Sequence, residues 1–597
     1  MVAVHRWLVH EPEPAATAML VKEFGLPPLV ARLLANRGLS DREAASAFIE
    51  PKLADLPDPF LMADAQVAAV RLSDAIKDGE MICVYGDYDV DGITSSALLH
   101  SFLDKVGARV RVFLPDRIRD GYGLNAERLI ELCDDGVELF VSADCGSRAV
   151  EAIDKVRSRD IDFIVCDHHT LGEILPRPNA LLNPHREDCQ YPDKRLSAVG
   201  VSLVLVQAVR RILMERGHFG DAGRPPNLGS LLEFAALGTI ADMVPLRGVN
   251  RIIAKHGLLR LGRSRRPGIQ ALARHTDIKR AANADHVGFY LGPRINAAGR
   301  IADAHTAFEL LTTEDVQRAE QLATELEVEN NRRKKIQAEV SSQAMELAAE
   351  QPGHEHAVVV AADGWHPGVV GIVATRLKEH FHVPVFVLAL DGESARGSGR
   401  SISGYDLVAG LRAVAGQARP DGLLQRYGGH YYAAGISLAR DQVDAFRNAL
   451  VAHVSQALPI AERKLDLHID AELTVGDLNL DKVAELDMLE PCGKGNHRPY
   501  FLVRGAVLAE LRCVGKDLSW ARFQLAEQSD RPLWGRQTVG GFGKASLFEG
   551  IEQGQAIDMV FRLERNNYRN RTSVQATVVE VAPAGEHSVS VLTTSSV

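Results

Sequence analysis

Two short words in this chain place acids and imidazoles at spacings suited to catalysis: Gly86-Asp87-Tyr88-Asp89-Val90-Asp91-Gly92 and Asp167-His168-His169. A third word, Asp144-Cys145-Gly146, and a fourth acid, Asp242 after Gly238-Thr239-Ile240-Ala241, complete the set. Phosphodiester hydrolysis needs a deprotonated water and compensation for phosphate charge. Two divalent ions about 4 Å apart supply both. Carboxylate oxygens with some imidazole suit hard cations, Mg²⁺ or Mn²⁺. The chain therefore reads first as a metal-dependent phosphoesterase.

In an extended loop alternate residues point to one side, so Asp87, Asp89 and Asp91 can face one cluster. Asp144 can bridge two ions, His168 and His169 can join them, and Asp242 can complete the set. Asp167 reads as the acid that orients a histidine from behind the ligands. Asp-x-Asp-x-Asp-Gly also opens a calcium loop, but Leu98 stands where that loop needs its glutamate.

Each word follows a short apolar run, such as Met81-Ile82-Cys83-Val84-Tyr85 or Phe163-Ile164-Val165-Cys166. Strands over 82–85, 110–114, 138–141 and 163–166 alternate with helices over 94–106, 126–134 and 149–157. That alternation predicts an α/β unit, a parallel sheet covered on both faces, with the polar words at its carboxyl edge. Residues 1–75 read as a helical N-terminal segment. Residues 313–352, rich in Glu, Ala, Gln, Lys and Arg, read as one long connector helix. A second α/β lobe follows over 353–460, then alternating short strands over 461–585 that read as an all-β barrel or sandwich. Residues 586–597, rich in Ser and Thr, read as a loose tail.

The bulk numbers narrow the class. The chain has 597 residues, 46% apolar and 24% charged, with net charge −10. That length calls for several cores, and no apolar stretch is long enough for a membrane span. Seven scattered cysteines, without metal spacing, fit a reducing cytoplasm. Local basic clusters, Arg260 to Arg280 and Arg332-Arg333-Lys334-Lys335, offset the acidic total and read as solvated faces or polyanion contacts.

Taken together, these words resemble the DHH phosphoesterase family, in its branch that degrades single-stranded DNA. Residues 86–92, Ser142-Ala143-Asp144-Cys145-Gly146, 167–169 and Gly238–Leu246 look like its catalytic motifs in order. Pro293–Arg300 resembles its DNA-contacting segment. Trp365–Ala374, Gly399-Arg400-Ser401 and Gly428-Gly429-His430 resemble the associated second lobe, and Glu490–Asn496 the word opening its oligonucleotide-binding (OB-like) barrel. The resemblance implies a DHH domain over 76–312, a DHH-associated domain over 353–460 and an OB-like domain over 461–585. It implies a 5′-to-3′ exonuclease using two Mn²⁺ or Mg²⁺ ions and releasing nucleoside 5′-monophosphates in recombination and repair. Asp89, Asp91, Asp144, His168, His169 and Asp242 are the implied ligands, with Asp87 added; which two of the first three acids bind stays open. Arg117, Tyr122, Arg294, Asn296, Arg300, His366, Ser398, Arg400, Gly428, Gly429 and His430 are implied to line the strand's path. A single-strand-binding protein and a helicase are implied collaborators of a monomer. The alternative is a relative acting on short oligonucleotides or small nucleotides, which needs only the two lobes. A third alternative, a non-catalytic DNA-binding scaffold, should lack metal acids that are all present here.

Overall fold

The helical reading of 1–75 misses a strand, β1 (Arg6–Glu11), that precedes helices Pro14–Phe24, Pro28–Asn36 and Arg42–Ile49. The computed structural model describes residues 5–593 apart from 118, 122, 221–222, 277, 279–280, 417–421, 461–462, 464, 516–517, 528–537 and 569–570.

The apolar runs form β2 (Met81–Gly86), β3 (Arg109–Phe113), β4 (Leu139–Ala143), β5 (Asp162–Cys166) and the short β6 (Ala180–Leu182). They pair in the order β3-β2-β4-β5-β6, every pair parallel. Alternate side chains enter opposite layers, as a strand requires. Ile82, Val84, Leu139, Val141 and Ile164 join the core under helices Ala65–Asp78, Val90–Lys105 and Ala198–Glu215. Cys83, Tyr85, Phe140, Phe163 and Val165 join the core under Ala126–Asp134 and Val150–Arg157. The sheet is thus apolar on both faces, and only its carboxyl edge is left for polar chemistry.

The connector is a single helix, Val316–Glu350, beginning at an Asp315 cap whose carboxylate accepts from the N–H groups of Gln317 and Arg318. The second lobe holds β7 (Val358–Asp363), β8 (Val385–Asp391), β9 (Ser394–Arg400), β10 (Arg426–His430) and β11 (Ala433–Ala439), ordered β10-β11-β9-β8-β7. Only β7 and β8 are parallel.

The C-terminal part adds β12 (Asp466–Ile469), β13 (Ala471–Glu472), β14 (Phe501–Val514), β15 (Trp520–Ala526), β16 (Thr538–Lys544), β17 (Ala556–Tyr568), β18 (Arg571–Pro583) and β19 (Val589–Thr593). A β14–β17 pairing closes β14 to β18 into a barrel, with β13 added alongside β14. The tail is therefore corrected: β19 is a strand, pairing with β1 in the small parallel sheet β12-β1-β19. Its reason is Trp7, fully buried, whose indole N–H donates to Glu580 at 2.8 Å. The N-terminus is sewn onto the barrel by contacts that no local pattern encodes.

Candidate metal centre and substrate cleft

The four polar words meet at the carboxyl edge of the first sheet. Asp87 follows β2 directly and is buried. Asp89 caps the helix Val90–Lys105, accepting from the N–H groups of Asp91 (2.9 Å) and Gly92 (3.2 Å). Gly92 is required sterically: a Cβ there would meet Asp87 backbone atoms at 2.5–2.7 Å. Asp91 sits in the first turn of that helix and accepts from the first N–H groups of another, Ala198 (2.6 Å) and Val199 (3.0 Å). Gly238 makes room for it, since a Cβ there would lie 2.6 Å from Asp91 Oδ1. Asp144 follows β4, and Asp242 ends the helix Leu232–Ala241.

His168 Nε2 lies 3.4 Å from Asp144 Oδ1, 3.6 Å from Asp242 Oδ2 and 4.0 Å from Asp91 Oδ2. His169 Nδ1 lies 3.7 Å from Asp144 Oδ1. Three overlapping ligand sets result, each with donor atoms within 4.8 Å of one another: Asp87/Asp89/Asp144, Asp144/His168/His169 and Asp91/His168/Asp242. All seven acids and histidines named as ligands are thus brought together, with Asp144 and His168 each shared by two sets. Asp167 stands behind them. Its Oδ1 meets His169 Nδ1 at 2.8 Å and accepts from the N–H groups of His168 and His169, while Oδ2 accepts from Ser147 N–H at 2.9 Å.

The electrostatics are those of a cation site. Burial, then the Asp89 charge, pushes Asp87 up to about 8 and Asp91 up to about 7. Asp144 and Asp242 are likewise raised, by burial and by their neighbouring carboxylates. Burial, then the charge of His169, lowers His168 to about 4. Burial would lower His169, but its hydrogen bond to Asp167 together with the charges of Asp167, Asp242 and Asp89 raises it to about 9. Burial would raise Asp167, yet the same hydrogen bond and nearby imidazoles hold it well below the usual carboxylate range. Asp87 Oδ1, Asp144 Oδ1 and His168 Nε2 are buried without a hydrogen-bond partner among the described residues. Orphaned acceptors of that kind are costly unless something else satisfies them, and oxygen plus imidazole donors fit Mn²⁺ or Mg²⁺. Two non-glycine residues of the site are held in the left-handed region, Asp144 (φ +69°) and Met243 (φ +59°), strain of a kind that collects at functional sites.

Two predictions follow from these charges. First, the raised acids bind protons more tightly folded than unfolded. The metal-free fold therefore loses stability as pH rises from the ordinary carboxylate range of about 4 through the folded values near 7 and 8. Thermal unfolding in EDTA should fall across that window, and Mn²⁺ at about 100 times its Kd should add about 2.7 kcal/mol. A melting curve indifferent to both EDTA and pH would remove the cation site. Second, Asp167→Asn should weaken Mn²⁺ binding or activity by about 10–100-fold, because the amide no longer anchors the His169 ring; titration calorimetry reads it directly.

A cleft of about 1250 Å³ opens beside this cluster, between the first sheet's edge and the second lobe. Arg117, Ser147, Arg148 and His169 line one side, and Ser398, Gly428, Gly429 and His430 the other. Arg300 donates to Gly368 O at 3.1 Å, across the two lobes. Burial and the charges of Arg117 and Arg333 push Arg300 down to about 10, and burial and Arg117 lower Arg400. Neither Arg300 nor Arg400 ion-pairs with a carboxylate among the described residues. Converging, unpaired guanidinium groups suit a phosphate chain.

Three residues expected to contact the strand make hydrogen bonds within the protein. Arg294 is buried and turned into the protein, held by Glu327 of the long helix at 2.5 Å and by the Tyr290 carbonyl at 2.7 Å. Asn296 accepts from Val90 N–H at 3.2 Å, so it braces the first metal loop from behind. His366 Nδ1 accepts from Gly368 N–H at 3.0 Å and caps the turn into helix Val370–Phe381. Tyr122 lies outside the described residues. Conversely, Arg148, Arg396 and Arg426 line the cleft and were not singled out; an isolated arginine in a loop or strand carries no sequence signal. The basic run from Arg260 is remote: with Lys105 it lines a second hollow of about 820 Å³. Lys105 ends the helix that Asp91 begins, 16 residues long, about 24 Å at 1.5 Å per residue.

Comparison with known proteins agrees with this layout. Residues 81–239 match the DHH family N-terminal domain, 355–456 the DHHA1 domain and 469–580 the RecJ OB domain. The chain is 36% identical over 581 residues to the single-stranded-DNA-specific exonuclease RecJ of Bacillus subtilis, covering 97% of this chain and 71% of that protein. It is 35% identical to the RecJ of Dickeya dadantii, covering 94% and 96%. Its fold matches the crystal structure of Thermus thermophilus RecJ in complex with Mn²⁺, with TM-score 0.82, 29% identity and coverage of 99% of this chain and 81% of that one. The Mg²⁺ complex matches at TM-score 0.75.

Proposed function

The chain belongs to the RecJ family of single-stranded-DNA-specific exonucleases, and on that premise we propose how its own residues carry out metal-dependent hydrolysis of a single DNA strand. The observation that carries the reading is one cleft that holds both clusters: buried carboxylates and imidazoles at the sheet edge, and, around them, arginines from both lobes that pair with no carboxylate among the described residues. Two Mn²⁺ or Mg²⁺ ions, when bound, supply an acidified water and offset charge on the phosphate.

In this reading Asp87, Asp89 and Asp144 hold one ion, and Asp91, His168 and Asp242 the other. His169 supplements the shared Asp144, and Asp167 fixes its ring. Arg117, Arg300 and Arg400 grip phosphates as permanently charged forks. Gly428 and Gly429 let the backbone come close to the strand, and Ser398 and His430 offer polar contacts at the same wall. The reaction proceeds from the 5′ end and releases nucleoside 5′-monophosphates, serving recombination and repair. A monomer in the cytoplasm, working beside a single-strand-binding protein and a helicase, completes the proposal. All seven cysteines are free, which suits a reducing compartment. No helix among the described residues is long and apolar enough to cross a membrane.

The barrel favours long strands over the alternative of a short-oligonucleotide enzyme, for which the two lobes suffice. Competition decides it: with Mn²⁺, a long single strand should be consumed ahead of a duplex and of a dinucleotide. Preferential cleavage of the dinucleotide would return the chain to the small-substrate branch.

A further inference from the structure

The barrel meets the segment that follows Asp242 through one turn. Gly493 N–H donates to Asn496 O at 2.9 Å and Asn496 N–H to Gly493 O at 3.1 Å, which leaves Lys494 and Gly495 at the tip. Gly495 holds φ +71°, and a Cβ there would lie 2.8 Å from Pro245 Cβ. A Cβ on Gly493 would lie 2.7 Å from Leu246 Cδ1. The turn therefore lies flat on the segment that leaves Asp242.

That seat is tied from both sides. Leu246 N–H donates to Lys494 O at 2.8 Å, and Arg247 Nε to Gly495 O at 2.7 Å. Asn496, fully buried, donates to Leu489 O and Pro491 O at 2.8 and 2.9 Å and accepts from Arg37 Nε at 3.0 Å. Leu246 and Arg247 bind the backbone of the tip, and the Asn496 side chain anchors the turn; none of these contacts uses the Lys494 side chain. The Lys494 side chain is exposed and makes no ion pair or hydrogen bond among the described residues. A rigid turn thus presents one uncommitted ammonium beside the segment that leaves Asp242, on a flexible stem with three donors.

We infer that Lys494 is a substrate-binding residue: the barrel supplies it to a phosphate of the bound strand on the Asp242 side of the metal centre. The inference rests on the single-strand exonuclease reading and adds that the barrel takes part in the cleft itself. It excludes the plainer role in which Lys494 only offsets the acids' charge in the free protein.

The test uses the full chain with Lys494→Ala and Lys494→Arg, on a long single strand in Mn²⁺. Lys494→Ala should raise KM about tenfold, the loss of one charge-assisted contact, with kcat unchanged. The slope of log affinity against log salt should fall by about 0.7, and Lys494→Arg should restore both. Mn²⁺ binding and melting temperature should stay at wild-type values. An unchanged KM and salt slope overturns the inference, as does a loss that arginine does not rescue or one traced to weaker Mn²⁺ binding. If wild type leaves single strands intact, the exonuclease reading fails instead.

Discussion

Asp144→Asn abolishes hydrolysis, lowering kcat by at least about 10³-fold, while single-strand binding stays within a few-fold of wild type. Asp144 belongs to two of the three ligand sets, so its loss breaks the set with Asp87 and Asp89 and the one that links it to His168 and His169. In this reading the strand's grip resides mainly in Arg117, Arg300 and Arg400, none of which belongs to the ligand sets. Asparagine is the better probe than alanine because it tolerates the φ of +69° at this position. The variant also carries a second signature. Asp144 is raised by burial and by Asp89, Asp91 and Asp87, so in metal-free protein it is a source of repulsion. Removing its charge should raise the melting temperature in EDTA while abolishing most of the gain from Mn²⁺, a trade of stability for function. Activity within tenfold of wild type would remove the shared acid, and with it the two-ion arrangement, from the account.

Arg251→Ala should loosen the barrel from the catalytic lobe. Arg251 is 1% exposed and faces no carboxylate at hydrogen-bond distance. Its guanidinium instead donates to Phe48 O, to Pro491 O at 3.1 Å, to Leu489 O at 3.1 Å and to Glu490 O at 3.0 Å, and lies 3.6 Å over the Phe48 ring. One side chain thus clasps the helix Gly248–Leu261, the N-terminal helix Arg42–Ile49 and the segment feeding the barrel. Burial lowers its pKa to about 10, still leaving it charged at neutral pH. Buried carbonyls left without a donor cost about 1–3 kcal/mol each, so even with partial relaxation the loss should be about 3 kcal/mol or more. Thermal unfolding should show an earlier barrel transition, and limited proteolysis a new cut near 490. Lysine, a point charge that cannot fork to several carbonyls, should recover only part. A wild-type melting profile for Arg251→Ala would mean that Arg498, paired with Asp285 at 2.5 Å, carries the junction instead.

The cluster of acids and histidines was legible because its residues are short-range words at the ends of apolar runs. Strand-then-acid is a local pattern, and parallel sheets put such ends on one edge. The alternation of Ile82, Cys83, Val84 and Tyr85 between two cores, and the 35-residue connector helix, were legible for the same reason. What was missed depends on distant partners. β1 reads as nothing in particular until β12 and β19, more than four hundred residues on, flank it. β6 is three residues long and exists as an addition to β5. Arg294 sits in a word that suggested DNA contact, and only its pairing with Glu327 shows that it faces inward. Lys494 lay in a recognised word with no role, because its neighbourhood is set by Pro245 and Leu246.

The most direct measurement follows a long single strand labelled at its 5′ end, incubated with the enzyme in Mn²⁺ and in EDTA. The account predicts that the label appears as a mononucleotide from the earliest times in Mn²⁺ and that the strand stays intact in EDTA. Release of label only as long fragments, or equal degradation in EDTA, would contradict a metal-dependent exonuclease working from the 5′ end.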